Sequence, residues 1–219
     1  MYQERIDRVL AAMEQMGLEQ MIVSDPDSIW YLTGYYVFPF ERLFALYLRR
    51  DGKHKLFLNK LFPVPEVPYE QVWFSDTDDY LTILAENVDG TKPMGIDKEW
   101  PARFLLPLMA HNPGSRCVLA SSCVDDARAC KDEPERQLMR TASRINDTVM
   151  ERAAAFLREG VMEREVADYI VAQYAAEGCD TVAFQPIVSF GPHAADPHHE
   201  ADQTRLRAGD CIVIDMGCR

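Results

Sequence analysis

Along residues 4–16 the apolar side chains Ile6, Val9, Leu10 and Met13 recur at the spacing of an amphipathic helix, and Gly17 is placed to end it. The period then changes. Residues 21–24 form a short apolar run that predicts a buried strand, and Asp25-Pro26-Asp27-Ser28 predicts a turn offering helix N-caps to the segment behind it. In that segment Trp30 and Tyr31 are expected in the core. Two further apolar runs, 44–48 and 55–58, flank Asp51-Gly52 and predict a hairpin. Three prolines in residues 62–68 predict an extended connection. A strand is expected over 72–74, and a helix over 78–88 with acidic residues in its first turn. Short strands over 94–97 and 117–119 bracket a helix over 101–110. Strands and helices alternating in this way predict an α/β layer with a parallel or mixed sheet.

The pattern shifts at residues 123–134, where Asp125, Asp126, Lys131, Asp132 and Glu133 cluster. This predicts two domains, 1–128 and 129–219. The second opens with two helices. The first, over 135–158, places Leu138, Ala142, Ile145, Val149 and Phe156 on one face; the next, over 162–176, carries Val166, Ile170 and Tyr174. Gly160 separates them and Gly178 ends the second. Residues 182–189 and 211–214 are then expected as neighbouring strands, the second launched by the turn Arg207-Ala208-Gly209-Asp210. Cys211 is expected in the core. At the end of that strand stands Asp215, a hard anion placed where a buried strand surfaces, which suits a divalent cation. His198 lies on the loop before it. Glu200 and Asp202 read as surface charges, His54 and His111 as structural, and Asp97 as a turn or cap residue.

Composition narrows the choice. With 219 residues, 47% apolar and 26% charged, the chain has enough material for one large core or two small ones. A net charge of −12 argues against nucleic acid and anionic membrane surfaces, both of which demand a basic face. No apolar run approaches the roughly 20 residues that span a bilayer. The charged start Met-Tyr-Gln-Glu-Arg-Ile-Asp predicts no signal peptide. Six cysteines stand without a Cys-x-x-Cys spacing, so reduced thiols and a cytoplasmic setting are expected. Cys218, close to Asp215 in sequence, could also serve as a soft neighbour to a metal.

Three pieces of the C-terminal stretch fit together: Gly191-Pro192-His193-Ala194-Ala195-Asp196-Pro197-His198, Gly209-Asp210 and Asp215-Met216-Gly217. In combination they resemble the pita-bread metallohydrolases, the family of Xaa-Pro dipeptidase, aminopeptidase P and creatinase. That family carries a Gly-Pro-Asn-Ala-Ala-x-Pro-His loop, a Gly-Asp turn and a strand ending Asp-x-Gly. The Tyr31-Leu32-Thr33-Gly34 element extends the resemblance to the front of the chain.

The resemblance implies an α/β creatinase-like N-terminal domain with a mixed sheet, followed by the first half of an α+β pita-bread domain. It implies hydrolysis of a peptide bond, of the kind preceding proline, with a peptide as substrate. Asp215 becomes the first metal ligand and His198 an active-site histidine that meets substrate. His193, at a position where the family has Asn, becomes a second substrate-binding residue. The complete enzyme would use Mn²⁺, Co²⁺ or Zn²⁺. The remaining ligands lie downstream of Asp-x-Gly in the family, whereas these 219 residues end four after Asp215. This chain alone is therefore expected to be inactive and to hold no cation tightly. A homodimer is expected, and a non-catalytic binding or dimerisation module is the competing reading.

Overall fold

In the computed structural model residues 2–64 and 69–219 are described; residues 65–68 of the proline-rich connection lie outside them. The chain divides into two compact units, Met1–Lys131 and Asp132–Arg219.

The first unit runs α1 (Gln3–Gln15), β1 (Gln20–Val23), α2 (Pro26–Thr33), β2 (Ala45–Arg49), β3 (Lys55–Asn59), β4 (Glu70–Phe74), α3 (Tyr80–Asn87), β5 (Met94–Ile96), α4 (Ala102–His111), β6 (Cys117–Leu119) and α5 (Ser122–Ala129). Its six strands form one mixed sheet in the order β4-β3-β2-β1-β5-β6. β2 is antiparallel to both β1 and β3, and the other three pairings are parallel.

Strand alternation sorts the core into two layers. Met21, Val23, Leu46, Leu48, Leu56 and Leu58 point to one face, where α1, α2 and α5 cover them with Ile6, Val9, Ile29, Leu32 and Val124. Ile22, Ala45, Tyr47 and Phe57 point to the other, under Leu84 of α3 and Phe104 and Leu108 of α4. Both faces are covered, so β1 and β2 read as continuous apolar runs without polar alternation.

Polar residues in this unit are structural. Asp97, buried at the end of β5, accepts hydrogen bonds from the backbone N–H groups of Ser24 and Asp25 and from the Ser24 hydroxyl, tying β5 to the end of β1. Asp25 caps α2 by accepting from the Ser28 N–H at 2.9 Å. His54 is buried beside the hairpin, where its Nδ1 accepts from the Arg49 N–H at 3.2 Å. Burial pushes its pKa down, against the opposing pull of Asp51 and Asp7. His111 stands in the last turn of α4, where a basic group complements the helix dipole.

Trp30 departs from expectation. It is 54% exposed, whereas Tyr31 is buried with its hydroxyl donating to the Ala127 carbonyl. In α2 the residues Ser28, Ile29, Tyr31, Leu32 and Thr33 share the inward side, which leaves Trp30 on the outer face with Tyr36 edge-on to it.

The second unit runs α6 (Glu133–Phe156), α7 (Glu163–Ala176), β7 (Ile187–Phe190), a 3₁₀ turn (Gly191–Ala195) and β8 (Ile212–Asp215). Asp132 and Glu135 close a reciprocal capping box at the start of α6. Val149 and Ala153 of α6 pack with Val166, Ile170 and Tyr174 of α7 and with Val188 and Phe190 of β7. Leu138, expected on the apolar face of α6, is 71% exposed, because the buried stripe begins only further along the helix. Residues 182–186 are not part of β7; Val182 makes an isolated bridge to Cys218.

Candidate active site

β7 and β8 pair antiparallel, with Ile187 opposite Asp215 and Phe190 opposite Ile212. In β8, Ile212 and Ile214 turn inward while Val213 and Asp215 turn outward. Strand parity therefore puts Asp215 on the open side of the ribbon. It also corrects the expectation for Cys211, which is exposed because it shares that outward parity.

At the other end of β7 the chain turns sharply at Gly191, whose φ is +52° and whose N–H donates to the Cys211 carbonyl at 2.8 Å. A Cβ here would come within 2.9 Å of Asp210 Oδ1, so the position needs glycine for both conformation and space. The 3₁₀ turn follows, and then Asp196 Oδ1 accepts from the His198 N–H at 3.0 Å and bends the chain at Pro197-His198.

His198 and Asp215 line the same cavity, of about 640 Å³, together with Arg164, Asp168, Phe184 and His199. The Asp215 carboxylate makes no hydrogen bond or ion pair among the described residues, and it is exposed. An unpartnered carboxylate on the wall of a cavity fits a cation ligand. It does not by itself fit a centre of two cations, which needs several carboxylates for charge neutralisation. Asp215 offers one candidate ligand on the wall of that cavity.

His193 is not brought to the cavity wall. Its Nδ1 lies 3.0 Å from Glu163 Oε1, while His199 Nε2 lies 2.8 Å from Glu163 Oε2. Glu163, the first residue of α7, has no exposed surface. It also accepts from the backbone N–H groups of Phe190 at 2.8 Å and Asp202 at 3.2 Å. One carboxylate thus ties α7 to both arms of the loop that presents His198. His199 reads from the sequence only as a neighbour of His193 and His198 on one loop, and nothing in the motif points to Glu163. A signal existed for Glu163, since it precedes Val166, Ala167, Ile170 and Tyr174 at helical spacing and so falls in the buried stripe of α7.

Cys218 packs against another cysteine. Its Sγ lies 3.0 Å from Cys179 Sγ, and its pKa is pushed up to about 11 by burial first and by Cys179 second. Both influences favour the neutral thiol over the thiolate.

A family model for the Creatinase/Prolidase N-terminal domain matches residues 5–130, and one for metallopeptidase family M24 matches residues 137–219. The chain belongs to the creatinase/prolidase family. It consists of a creatinase-like N-terminal domain with a mixed sheet and the first part of a pita-bread metallopeptidase domain. A prolidase from Thermococcus sibiricus shares its fold with a TM-score of 0.88 at 29% identity, over 100% of this chain and 62% of that one. The dipeptidase PepE from Mycobacterium ulcerans is 32% identical, with a TM-score of 0.88, over 99% of this chain and 60% of that one. An uncharacterized peptidase from Staphylococcus aureus is 29% identical over 97% of this chain. The chain spans 61% of the length of that curated relative. Among the described residues no helix is long and apolar enough to cross a membrane.

Proposed function

We propose that this chain provides the N-terminal domain and the first wall of the active site of an Xaa-Pro dipeptidase- or aminopeptidase-type metallopeptidase. The observation that carries the reading is the shared cavity of His198 and Asp215 in a chain of this family. In this reading Asp215 is a ligand to Mn²⁺, Co²⁺ or Zn²⁺, which oxygen and nitrogen donors accept alike. When bound, such a cation supplies a water of lowered pKa and stabilises the oxyanion. His198, exposed on its turn, donates to the scissile carbonyl or the tetrahedral intermediate. His193 has Nδ1 engaged with Glu163 and keeps only Nε2 for a substrate contact. A cytoplasmic setting with reduced thiols belongs to the same reading.

The test begins with the reading frame beyond the Arg219 codon. A continuation encoding the further Asp, His and Glu ligands is expected, and a stop codon there would favour the binding-module reading. In the continued protein His198→Ala should lower kcat on an Xaa-Pro dipeptide by about 10²–10³, the cost of removing one oxyanion donor. Bound metal should stay unchanged; parallel loss of metal and activity would make His198 a ligand instead.

A homodimer is part of the proposal. The β7–β8 ribbon has no third strand among the described residues, and Phe184 ahead of it and Val213 within it are 42% and 40% exposed. Open edges and apolar faces favour association with another chain. Light scattering should give about twice the 25.0 kDa chain mass at micromolar concentration; a stable monomer would remove this part.

A further inference from the structure

Glu163 poses a problem that the peptidase reading leaves unsolved. A buried carboxylate is costly unless its charge is compensated. Among the described residues no lysine or arginine pairs with Glu163, and its ionic partners are the two imidazoles of His193 and His199. An imidazole compensates a carboxylate fully only when it is protonated, while neutral imidazoles are good metal ligands. A fourth group, the Asp202 carboxylate, stands beside them.

We propose that Glu163, His193, His199 and Asp202 form a site for a single divalent transition cation, with zinc the best fit. Neither Asp215 nor His198 takes part, and the proposal stands whether or not the peptidase reading holds. The four ligand atoms all lie within 4.8 Å of one another. A tetrahedral zinc with bonds of about 2.0–2.2 Å sets its ligands roughly 3.3 Å apart. The imidazole–carboxylate separations of 3.0 and 2.8 Å need to open by only a few tenths of an ångström. Two imidazoles and two carboxylates are a donor set that zinc accepts.

Glu163 has outer partners of the kind that orient a metal ligand. The N–H groups of Phe190 and Asp202 hold the Glu163 carboxylate, as second-layer donors orient ligands elsewhere. Asp202 is exposed, so it can swing onto a cation, and the Thr204 N–H keeps its carboxyl below the usual carboxylate range. His193 is also where the sequence departs from the Gly-Pro-Asn pattern it resembles. That departure supplies the second imidazole. The expectation that this chain holds no cation tightly rests on Asp215 alone and leaves Glu163 out. A cation here would clamp α7 to both arms of the loop carrying His198.

The test is a titration of the 219-residue chain with Zn²⁺ against a chromophoric chelator, with metal content measured after gel filtration. One equivalent is expected, unchanged in Asp215→Asn. Glu163→Gln and His193→Asn should each weaken it by about 10-fold or more, at least the cost of losing an outer-shell partner. His193→Asn restores the side chain of the resembled pattern and is expected to fold, which circular dichroism checks. Zinc should also raise the melting temperature of the unaltered chain and leave that of His193→Asn in place. No bound equivalent would mean that the cluster is a hydrogen-bond hub only, and the proposal fails. It fails equally if His193→Asn binds zinc with undiminished affinity or if zinc is lost in Asp215→Asn.

Discussion

The two units solve the burial problem differently. In the first, helices cover both faces of a six-stranded sheet, and every residue of β1 is buried. In the second, a two-stranded ribbon has one side on the helices and the other open, so alternate residues of β8 face outward. A sheet covered on both sides spends its positions on packing, and its few buried polar groups, such as Asp97, serve as ties. A ribbon covered on one side leaves every second position free for chemistry. Asp215 occupies such a position, and three of the five histidines lie within seven residues of the adjoining loop.

The sharpest way to break this contrast is truncation on each side. Phe57→Ala, in a fully buried position of β3, should destabilise the first unit by about 3–5 kcal/mol. Val213→Ala, on the open side of β8, should cost under about 1 kcal/mol. All three tryptophans, Trp30, Trp73 and Trp100, lie in the first unit, so fluorescence follows its unfolding in urea while far-UV circular dichroism follows both. Comparable costs for the two variants would show that the ribbon's outer side is packed after all.

A smaller effect is expected at the turn between ribbon and loop. Gly191→Ala forces a side chain into left-handed backbone and against Asp210, a strain of about 1–2 kcal/mol. Faster amide exchange should appear in residues 191–203 and leave the first unit untouched. Unchanged exchange would mean that the loop relaxes freely and does not hold His198 rigidly.

The smallest effect is in pH. The folded state lowers the pKa of His54, so the neutral form contributes stability above the unfolded value of about 6.5. That contribution is lost as pH falls below 6.5 towards the folded value. Tryptophan-monitored stability of the first unit should therefore decline on acidification from pH 7, and His54→Gln should flatten part of that slope. An identical slope in the variant would assign the decline to carboxylates alone.

Most of the α/β unit was legible because its elements repeat a period. Ile6, Val9 and Met13 mark one helix face, and the apolar runs around Asp51-Gly52 mark a hairpin. The family was legible because the Gly191-Pro192, Gly209-Asp210 and Asp215-Met216-Gly217 pieces match a family pattern in combination, which none of them does alone. What stayed hidden depended on which way one residue faces. Trp30 is apolar by composition but falls on the outer side of an eight-residue helix. Cys211 stands one position outside an apolar run and takes the opposite parity to Ile212. Glu163 is acidic in a first helical turn, where charge is usually solvated, and only its loop partners, 27 to 39 residues away, explain its burial. Such long-range pairings have no local signature.

The order of strands in the first sheet also sets a timetable for the emerging chain. β1 sits between β2 and β5, so its first partner follows within a few dozen residues, but its second begins only at Met94. From Arg49 at the end of β2 to Met94 is 94 − 49 = 45 residues. At about 5–20 residues per second, synthesis takes roughly 2–9 s to deliver that partner. Within that interval β3 is made and completes the β1–β2–β3 meander, while one apolar edge of β1 waits for a partner strand not yet made.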